Sequence, residues 1–196
     1  MIGAVILAAG RSQRMGQPKL ILPWGETTVI GRVIEVLASA AIDEIVVVTG
    51  GARIEVEAVL QATSARLVFN PDFANGEMTS TLRVGLRALA KEAEAALIVL
   101  GDQPQIELRV VQTVLECYRQ GDAPLVVPSY QMRRGHPWIV ARSLWNELAQ
   151  LAPPQTLRDF LNQHKANTQY VTVPNPSILQ DLDTPQDYQH FRPDIR

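Results

Sequence analysis

The chain opens on a short apolar run and passes, through Leu7-Ala8-Ala9-Gly10, into Arg11-Ser12-Gln13-Arg14-Met15-Gly16-Gln17-Pro18-Lys19. These residue types can do phosphate chemistry. Small side chains let main-chain N–H groups approach phosphate oxygens, and Arg14 and Lys19 supply positive charge. The spacing fits neither of two common phosphate loops. The P-loop pattern Gly-x-x-x-x-Gly-Lys-Ser/Thr fails because Gly16 is followed by Gln17-Pro18-Lys19. The Gly-x-Gly-x-x-Gly dinucleotide fingerprint is also absent.

Other side chains could complete such a site. Asp102, in Gly101-Asp102-Gln103-Pro104, follows an apolar run that carries no charge. A carboxylate there can hold a hard cation such as Mg²⁺, which keeps several waters and bridges to phosphates, or it can simply shape the turn. In Asp181-Leu182-Asp183, alternate residues of an extended segment face one side, so both carboxylates can point together. Asp183 could also serve only the helix start that follows. Arg133-Arg134-Gly135-His136-Pro137 brings cations suited to an anionic substrate. Asn70-Pro71-Asp72-Phe73 and Met78-Thr79-Ser80-Thr81 bring an amide and hydroxyls that suit a nucleotide, or plain helix capping.

The elements that must position these groups alternate. Ala4 to Leu7, Glu44 to Thr49, Arg66 to Phe69, Ala95 to Leu100 and Leu125 to Val127 read as strands, several of them apolar enough to be buried on both faces. Apolar spacing predicts helices over Val29–Ala40, Ile54–Gln61, Thr79–Ala93 and Leu108–Tyr118. Such alternation predicts a mostly parallel sheet covered on both faces, with ligands at the carboxyl ends of the strands. The opening loop, Gly50-Gly51 and Asp102 all fall at such ends. The second half is less regular. Tyr130 to Val140 reads as a loop or hairpin, Tyr170 to Val173 as a strand, and Thr156 and Thr184 as N-caps, with Pro185 in the first helical position. Cys117 and the tryptophans Trp24, Trp138 and Trp145 read as packing residues, and Trp138, beside His136-Pro137, also as one wall of a pocket there.

A length of 196 residues suits one α/β domain spanning residues 1–196. A formal charge of −2 gives no global basic surplus, so nucleic acid is not an expected partner and any phosphate site must be local. No apolar run approaches the roughly twenty residues that a membrane span needs. The N-terminus lacks a basic n-region and reads as a strand rather than a signal peptide. Cys117 is the only cysteine, which excludes an intrachain disulfide or a cysteine zinc site. A cytoplasmic location follows as the expectation.

The run from Leu7 to Lys19 resembles the signature Leu-Ala-Ala-Gly-x-Ser-x-Arg-Met-Gly-x-x-Lys of the nucleotidyltransferases that act on molybdenum cofactor. They are one branch of the larger family that makes nucleotide sugars and related diphosphates. Every fixed position matches: Leu7, Ala8, Ala9, Gly10, Ser12, Arg14, Met15, Gly16 and Lys19. Gly101-Asp102-Gln103-Pro104 resembles the metal-binding segment of that branch. Asp181 to Tyr188 resembles its closing Asp-x-Asp-Thr-Pro-Glu-Asp, with Gln186 replacing Glu. Arg134-Gly135-His136-Pro137 matches a further segment. Asn70 to Leu86 resembles a fourth, usually Asn-Pro followed by Gly-Met-Ser-Ser-Ser-Leu-Arg, but here Glu77 separates Gly76 from Met78, and Thr79 and Thr81 replace serines. Ala9 and the Arg-Gly-His-Pro segment look like the cytidylyltransferase branch, since the guanylyltransferase branch usually carries Leu-Ala-Gly-Gly.

The resemblance implies a three-layer α/β/α Rossmann-like fold with a mostly parallel sheet. It implies Mg²⁺-dependent transfer of CMP from CTP to molybdopterin cofactor with release of pyrophosphate. Leu7, Ala8, Ala9, Gly10, Arg14, Lys19, Asn70, Ser80 and Asp102 would bind nucleotide, with Arg14, Lys19 and Asp102 also catalytic. Asp102 and Asp183 would hold the metal, and Arg134, Gly135 and His136 the acceptor. A molybdenum hydroxylase apo-enzyme would be a partner. Two other readings stand beside this one: a transferase using GTP or a sugar phosphate, and a carrier of molybdenum cofactor without catalysis.

Overall fold

β1 (Ile2–Ala8) occupies the centre of the sheet, because its small and β-branched residues tolerate burial on both faces. The computed structural model describes residues 1–74 and 78–193; Gly76 and Glu77, where the spacing departs from the family pattern, lie outside them. β1 pairs in parallel with β4 (Glu44–Thr49) on one side and with β6 (Ala95–Leu100) on the other. β5 (Arg66–Phe69) extends the sheet beyond β4. Beyond β6 come β9 (Trp138–Ala141), β7 (Leu125–Tyr130) and β10 (Thr168–Thr172), in the order β5-β4-β1-β6-β9-β7-β10. β9 is antiparallel to both its neighbours, whereas β10 runs parallel to β7. A two-residue strand, β8 (Arg133–Arg134), folds back on β7, and a small ribbon of β2 (Pro23–Trp24) and β3 (Thr27–Thr28) stands apart.

Alternation along the strands divides the core into two layers. Ala4, Ile6, Val47, Leu97 and Val99 face α1 (Val29–Ser39), α2 (Arg53–Leu60) and α4 (Leu108–Gln120). Val5, Val46, Val48, Ala96 and Ile98 face α3 (Met78–Ala88), α5 (Trp145–Gln150) and α6 (Leu157–Gln163). The architecture is the expected α/β/α arrangement. No helix among the described residues is long and apolar enough to cross a membrane.

Three differences from the sequence reading have local causes. The third helix ends at Ala88 rather than Ala93. There Glu44 accepts the Ala90 N–H, while Arg66 donates to the Ala88 carbonyl and Arg142 to that of Ala93, so side chains satisfy the groups a longer helix would have paired. The strand at Leu125 continues through Pro128 to Tyr130. The stretch expected to be loop or hairpin up to Val140 contains β9, whose apolar Trp138-Ile139-Val140 is fully buried between β6 and β7. Trp138 is 1 % exposed and acts in packing, not as a cleft wall. Cys117 is only partly buried at the margin of the core.

Both proposed N-caps are realised. Thr156 and Thr184 each form a capping box, with Asp159 and Asp187 as the reciprocal acceptors. The second of these starts α7 (Pro185–Phe191), with Pro185 in its first turn.

Candidate active site

The carboxyl ends of β1 and β6 open into a cleft of about 840 Å³. A smaller hollow of about 510 Å³ lies at the opposite ends of the strands, against Met1, Asp43 and Glu94, away from every group singled out above. The larger cleft is floored by Leu7, Ala8, Ala9 and Gly10 and walled by Arg14, Lys19, Asp102, Asp181 and Asp183.

The opening loop is held by its neighbours. Gly101 N–H donates to Leu7 O (3.1 Å) and Gly51 N–H to Ala9 O (3.2 Å), so the turns after β6 and β4 both grip it. Gly50 packs so closely that a Cβ would lie 2.5 Å from Ala9 O, which restricts that position to glycine. Within the loop, a 3-10 turn over Gln13–Met15 ends at Gly16, whose φ of +69° is the left-handed conformation favoured by glycine. Ser12 adopts the same region at φ 50°, and its Oγ accepts the Lys19 N–H at 3.2 Å. That bond closes the loop and turns Lys19 toward the cleft.

Lys19 Nζ then meets two carboxylates, Asp102 Oδ2 at 2.5 Å and Asp183 Oδ1 at 3.3 Å. Arg14 Nη2 reaches the other oxygen of Asp183 at 2.9 Å. The two acidic segments are also joined through the main chain, because Leu182 N–H donates to Asp102 O at 3.1 Å. Asp183 is fixed from behind by the α7 capping box: its N–H donates to Asp187 Oδ2 at 3.1 Å. Four side chains from three separate parts of the chain thus form one network. Lys19 is 12 % and Asp102 20 % exposed, so their attraction is less screened than that of a surface pair.

Asp102 and Asp183 fit a hard divalent cation. Both carboxylates already converge on one positive charge, the Lys19 ammonium, and both offer oxygen donors. Among the described residues no three His, Cys, Asp or Glu side chains form a complete cage. A metal here would therefore keep exchangeable positions for water or phosphate, as Mg²⁺ sites commonly do. Asp181, the other carboxylate of the Asp181-Leu182-Asp183 segment, shares the cleft wall. Burial and the nearby Asp102 charge push its pKa up from the ordinary carboxylate value, while a 2.6 Å hydrogen bond from Gln103 Nε2 opposes the rise.

The remaining sequence candidates lie elsewhere. Asn70 is fully buried and donates to Ser80 Oγ (3.0 Å) and Thr81 Oγ1 (3.1 Å), tying the end of β5 to the start of α3. Of these three, only Thr81 lines the cleft. Arg134 donates to Asn162 Oδ1 at 2.6 Å on the surface. Gly135 and His136 pack against Ile178, with His136 N–H donating to Ile178 O at 3.1 Å. None of Arg134, Gly135 and His136 lines this cleft. The His136 residue keeps partial exposure, but its Nε2 is sealed off, and burial pushes its pKa down to about 4.

Arg11, Phe73 and Thr81 line the cleft, with Arg11 over the Phe73 ring at 5.9 Å; sequence reasoning assigned Arg11 and Phe73 no role of their own and Thr81 only a share in a hydroxyl cluster. Arg11 falls at a free position of the signature, whereas Phe73 and Thr81 lie within the fourth segment. Gln103, the holder of Asp181, could have been noticed as the polar residue between Asp102 and Pro104.

The family described as MobA-like NTP transferase domain matches residues 4–168. The chain is 28 % identical over 190 residues to the molybdenum cofactor cytidylyltransferase of Escherichia coli, covering 95 % of this chain and 93 % of that one. It is 29 % identical over 195 residues to the nicotine blue oxidoreductase of Paenarthrobacter nicotinovorans, covering 93 % and 92 %. Rv0371c of Mycobacterium tuberculosis superposes with a TM-score of 0.86 at 28 % identity, covering 96 % of each chain. That protein has also been solved in complex with manganese, where the TM-score is 0.82 at 28 % identity and 97 % of each chain is covered.

Proposed function

Since this chain belongs to the MobA-like NTP transferase domain family and is a nucleotidyltransferase, we propose that it transfers CMP from CTP to molybdopterin cofactor and releases pyrophosphate. The observation that carries the reading is the single network of Lys19, Arg14, Asp102 and Asp183 beside a loop of small residues. Two cations and two carboxylates around one cleft suit a triphosphate that arrives with its metal. The Escherichia coli relative supports CTP and molybdenum cofactor as the substrates.

In this reading the main chain of Ala8 to Gly10 faces the triphosphate. Arg14 and Lys19 leave Asp183 and Asp102 and balance charge on the triphosphate and on the departing pyrophosphate. Asp102 and Asp183 would hold a divalent cation, read as Mg²⁺, which when bound would supply positive charge against the phosphates. A terminal phosphate on the acceptor attacks the α-phosphorus in line: the new P–O bond forms as the bond to pyrophosphate breaks. The phosphate is already a competent nucleophile, so His136 is not required as a base. Positioning and electrostatics account for the step, with no covalent enzyme intermediate. Arg134, Gly135 and His136 stay on the acceptor side, and a molybdenum hydroxylase apo-enzyme in the cytoplasm would receive the product. A carrier without catalysis would have no use for Lys19, Asp102 and Asp183 together.

The first test is thermal stability with CTP, GTP, ATP and UTP, each with and without Mg²⁺. A ligand that binds only the folded state raises the melting temperature. A Mg²⁺-dependent rise for CTP alone is expected. A rise for GTP alone would redirect the reading to guanylyl transfer, and none with any nucleotide would favour the carrier. Pyrophosphate release on adding molybdopterin then tests the acceptor separately, which matters because a relative of equal similarity is named for nicotine blue chemistry.

A further inference from the structure

The two segments that carry Lys19 and Asp183 touch twice. At their tips Lys19 Nζ lies 3.3 Å from Asp183 Oδ1. At their bases Tyr188 Oη donates to Pro23 O at 2.7 Å, and the Tyr188 ring packs on Trp24 with centroids 6.4 Å apart. Among the described residues these are the only hydrogen bonds between residues 19–28 and residues 181–192.

Each segment is held between its two contacts. From Lys19 the chain passes through a 3-10 turn to Ile21, and Leu22 O accepts the Val29 N–H at 3.0 Å, which ties this arm to the start of α1. Pro23 and Trp24 then pair with Thr28 and Thr27 in the small ribbon, and Trp24 is buried in the core. On the other arm Leu182 is fully buried and its N–H holds Asp102 O. Thr184 caps α7, and Tyr188 lies one turn further on, its N–H donating to Thr184 O at 3.2 Å. Successive residues of that turn do different things: Asp187 accepts the Asp183 N–H, and Tyr188 reaches across to Pro23. A tyrosine suits this place, because its ring packs while the donor at its tip meets a carbonyl.

The two contacts differ in what can break them. Nucleotidyl transfer, as read above, takes Lys19 from Asp183 to phosphate, so the tip contact opens when substrate binds. The base contact joins two uncharged groups, and none of Pro23, Trp24 and Tyr188 lines the cleft. It therefore persists when the tip opens. We propose that Tyr188 is a positioning residue: through Pro23 O and Trp24 it keeps the arm of Asp183 in register with the arm of Lys19 while both side chains are engaged with substrate. It touches no reacting atom. Its effect comes from geometry, since a displacement of about 1 Å at a reacting group can cost about 100-fold in rate. The effect on catalysis rests on the nucleotidyl-transfer reading, whereas the clasp between the arms is testable without nucleotide.

The opened tip is imitated by Arg14→Gln with Lys19→Ala, since Arg14 holds the other oxygen of Asp183. Amide exchange at Asp183, followed by NMR in the free protein, should stay near wild type in Tyr188→Phe, where the tip holds, and in the opened-tip protein, where the clasp holds. With all three substitutions it should quicken about tenfold or more. Exchange that Tyr188→Phe leaves unchanged in the opened-tip protein overturns the clasp. Turnover of CTP and molybdopterin, read as pyrophosphate release, then tests the consequence. Tyr188→Phe alone keeps the ring on Trp24, so the melting temperature and the nucleotide KM should hold while kcat falls about tenfold. Tyr188→Leu, which loses the ring as well, should lower both kcat and the melting temperature further. A wild-type kcat in Tyr188→Phe overturns the positioning role, and so does a fall in kcat that comes only with a lower melting temperature. The exchange pattern in a protein whose wild type turns over no CTP would support the clasp and overturn nucleotidyl transfer instead.

Discussion

Lys19 Nζ stands 2.5 Å from Asp102 Oδ2, so the ammonium occupies ground that a metal ion held by Asp102 would contest. On the proposed reading, metal and triphosphate would relieve one another's obstacles: Asp102 and Asp183 would be released to a cation as Lys19 and Arg14 turned to phosphate. Replacing Lys19 by Ala is expected to act on the two ligands in opposite directions. Mn²⁺ bound to the free protein, followed by its paramagnetic resonance, should tighten, because Asp102 and Asp183 lose their internal counter-ion. The nucleotide KM should rise about tenfold and kcat should fall, as a phosphate contact is lost. An unchanged kcat/KM would remove Lys19 from the phosphate site.

Asp102→Asn keeps the shape of the side chain and removes its charge. Turnover should fall about 100-fold or more, the scale on which groups that stabilise transition-state charge are felt. The melting temperature should change little, because Lys19 retains Asp183 at 3.3 Å as a partner. Pyrophosphate release and circular dichroism check the two halves of this expectation, and near-normal turnover would exclude the metal role.

Gly50→Ala tests the support of the loop rather than its chemistry. The new methyl group would press on Ala9 O, a main-chain atom that cannot rotate aside. We expect a loss of about 1–3 kcal/mol, or roughly 2–12 °C in melting temperature for a chain of this size, and a higher nucleotide KM as the floor shifts. A variant as stable as the wild type would show that the loop moves freely.

His136 makes stability depend on pH. Its folded pKa of about 4 lies below the ordinary value of 6.5, so the unfolded chain takes the proton first as pH falls. The stability from keeping this ring neutral is complete above about pH 6.5, declines as pH falls toward about 4, and is lost below that. Urea unfolding between about pH 7 and pH 4.5 should show a decline of up to about 3 kcal/mol that His136→Gln removes. The same slope in both proteins would assign it to carboxylates.

The central strands were legible because runs such as Ile45-Val46-Val47-Val48 admit few other readings, and their alternation with helices already placed ligands at the carboxyl ends. Lys19, Arg14, Asp102 and Asp183 were likewise legible as residue types in familiar segments, and they share one cleft. β9 was hidden. Its four residues follow a turn-rich stretch and pair with β6, more than forty positions upstream in the sequence. Periodicity over a local window cannot report such a partner. The grip of Gln103 on Asp181 was hidden for the same reason, since 78 positions separate the two.

The central place of β1 also sets an order of events during synthesis. β1 pairs with β4 from Gly3 and Glu44 onward, and with β6 from Ile2 and Ala95 onward, the latter supplied by the ribosome on the order of ninety residues after Ile2, roughly 5–20 s at typical rates. Until β6 arrives, one edge of the strand that leads into the phosphate loop has no partner. The strand that completes the pairing is also the one that delivers Asp102. The carboxylate nearest Lys19 is therefore made only as the pairing of β1 is completed, and Asp183 follows later still.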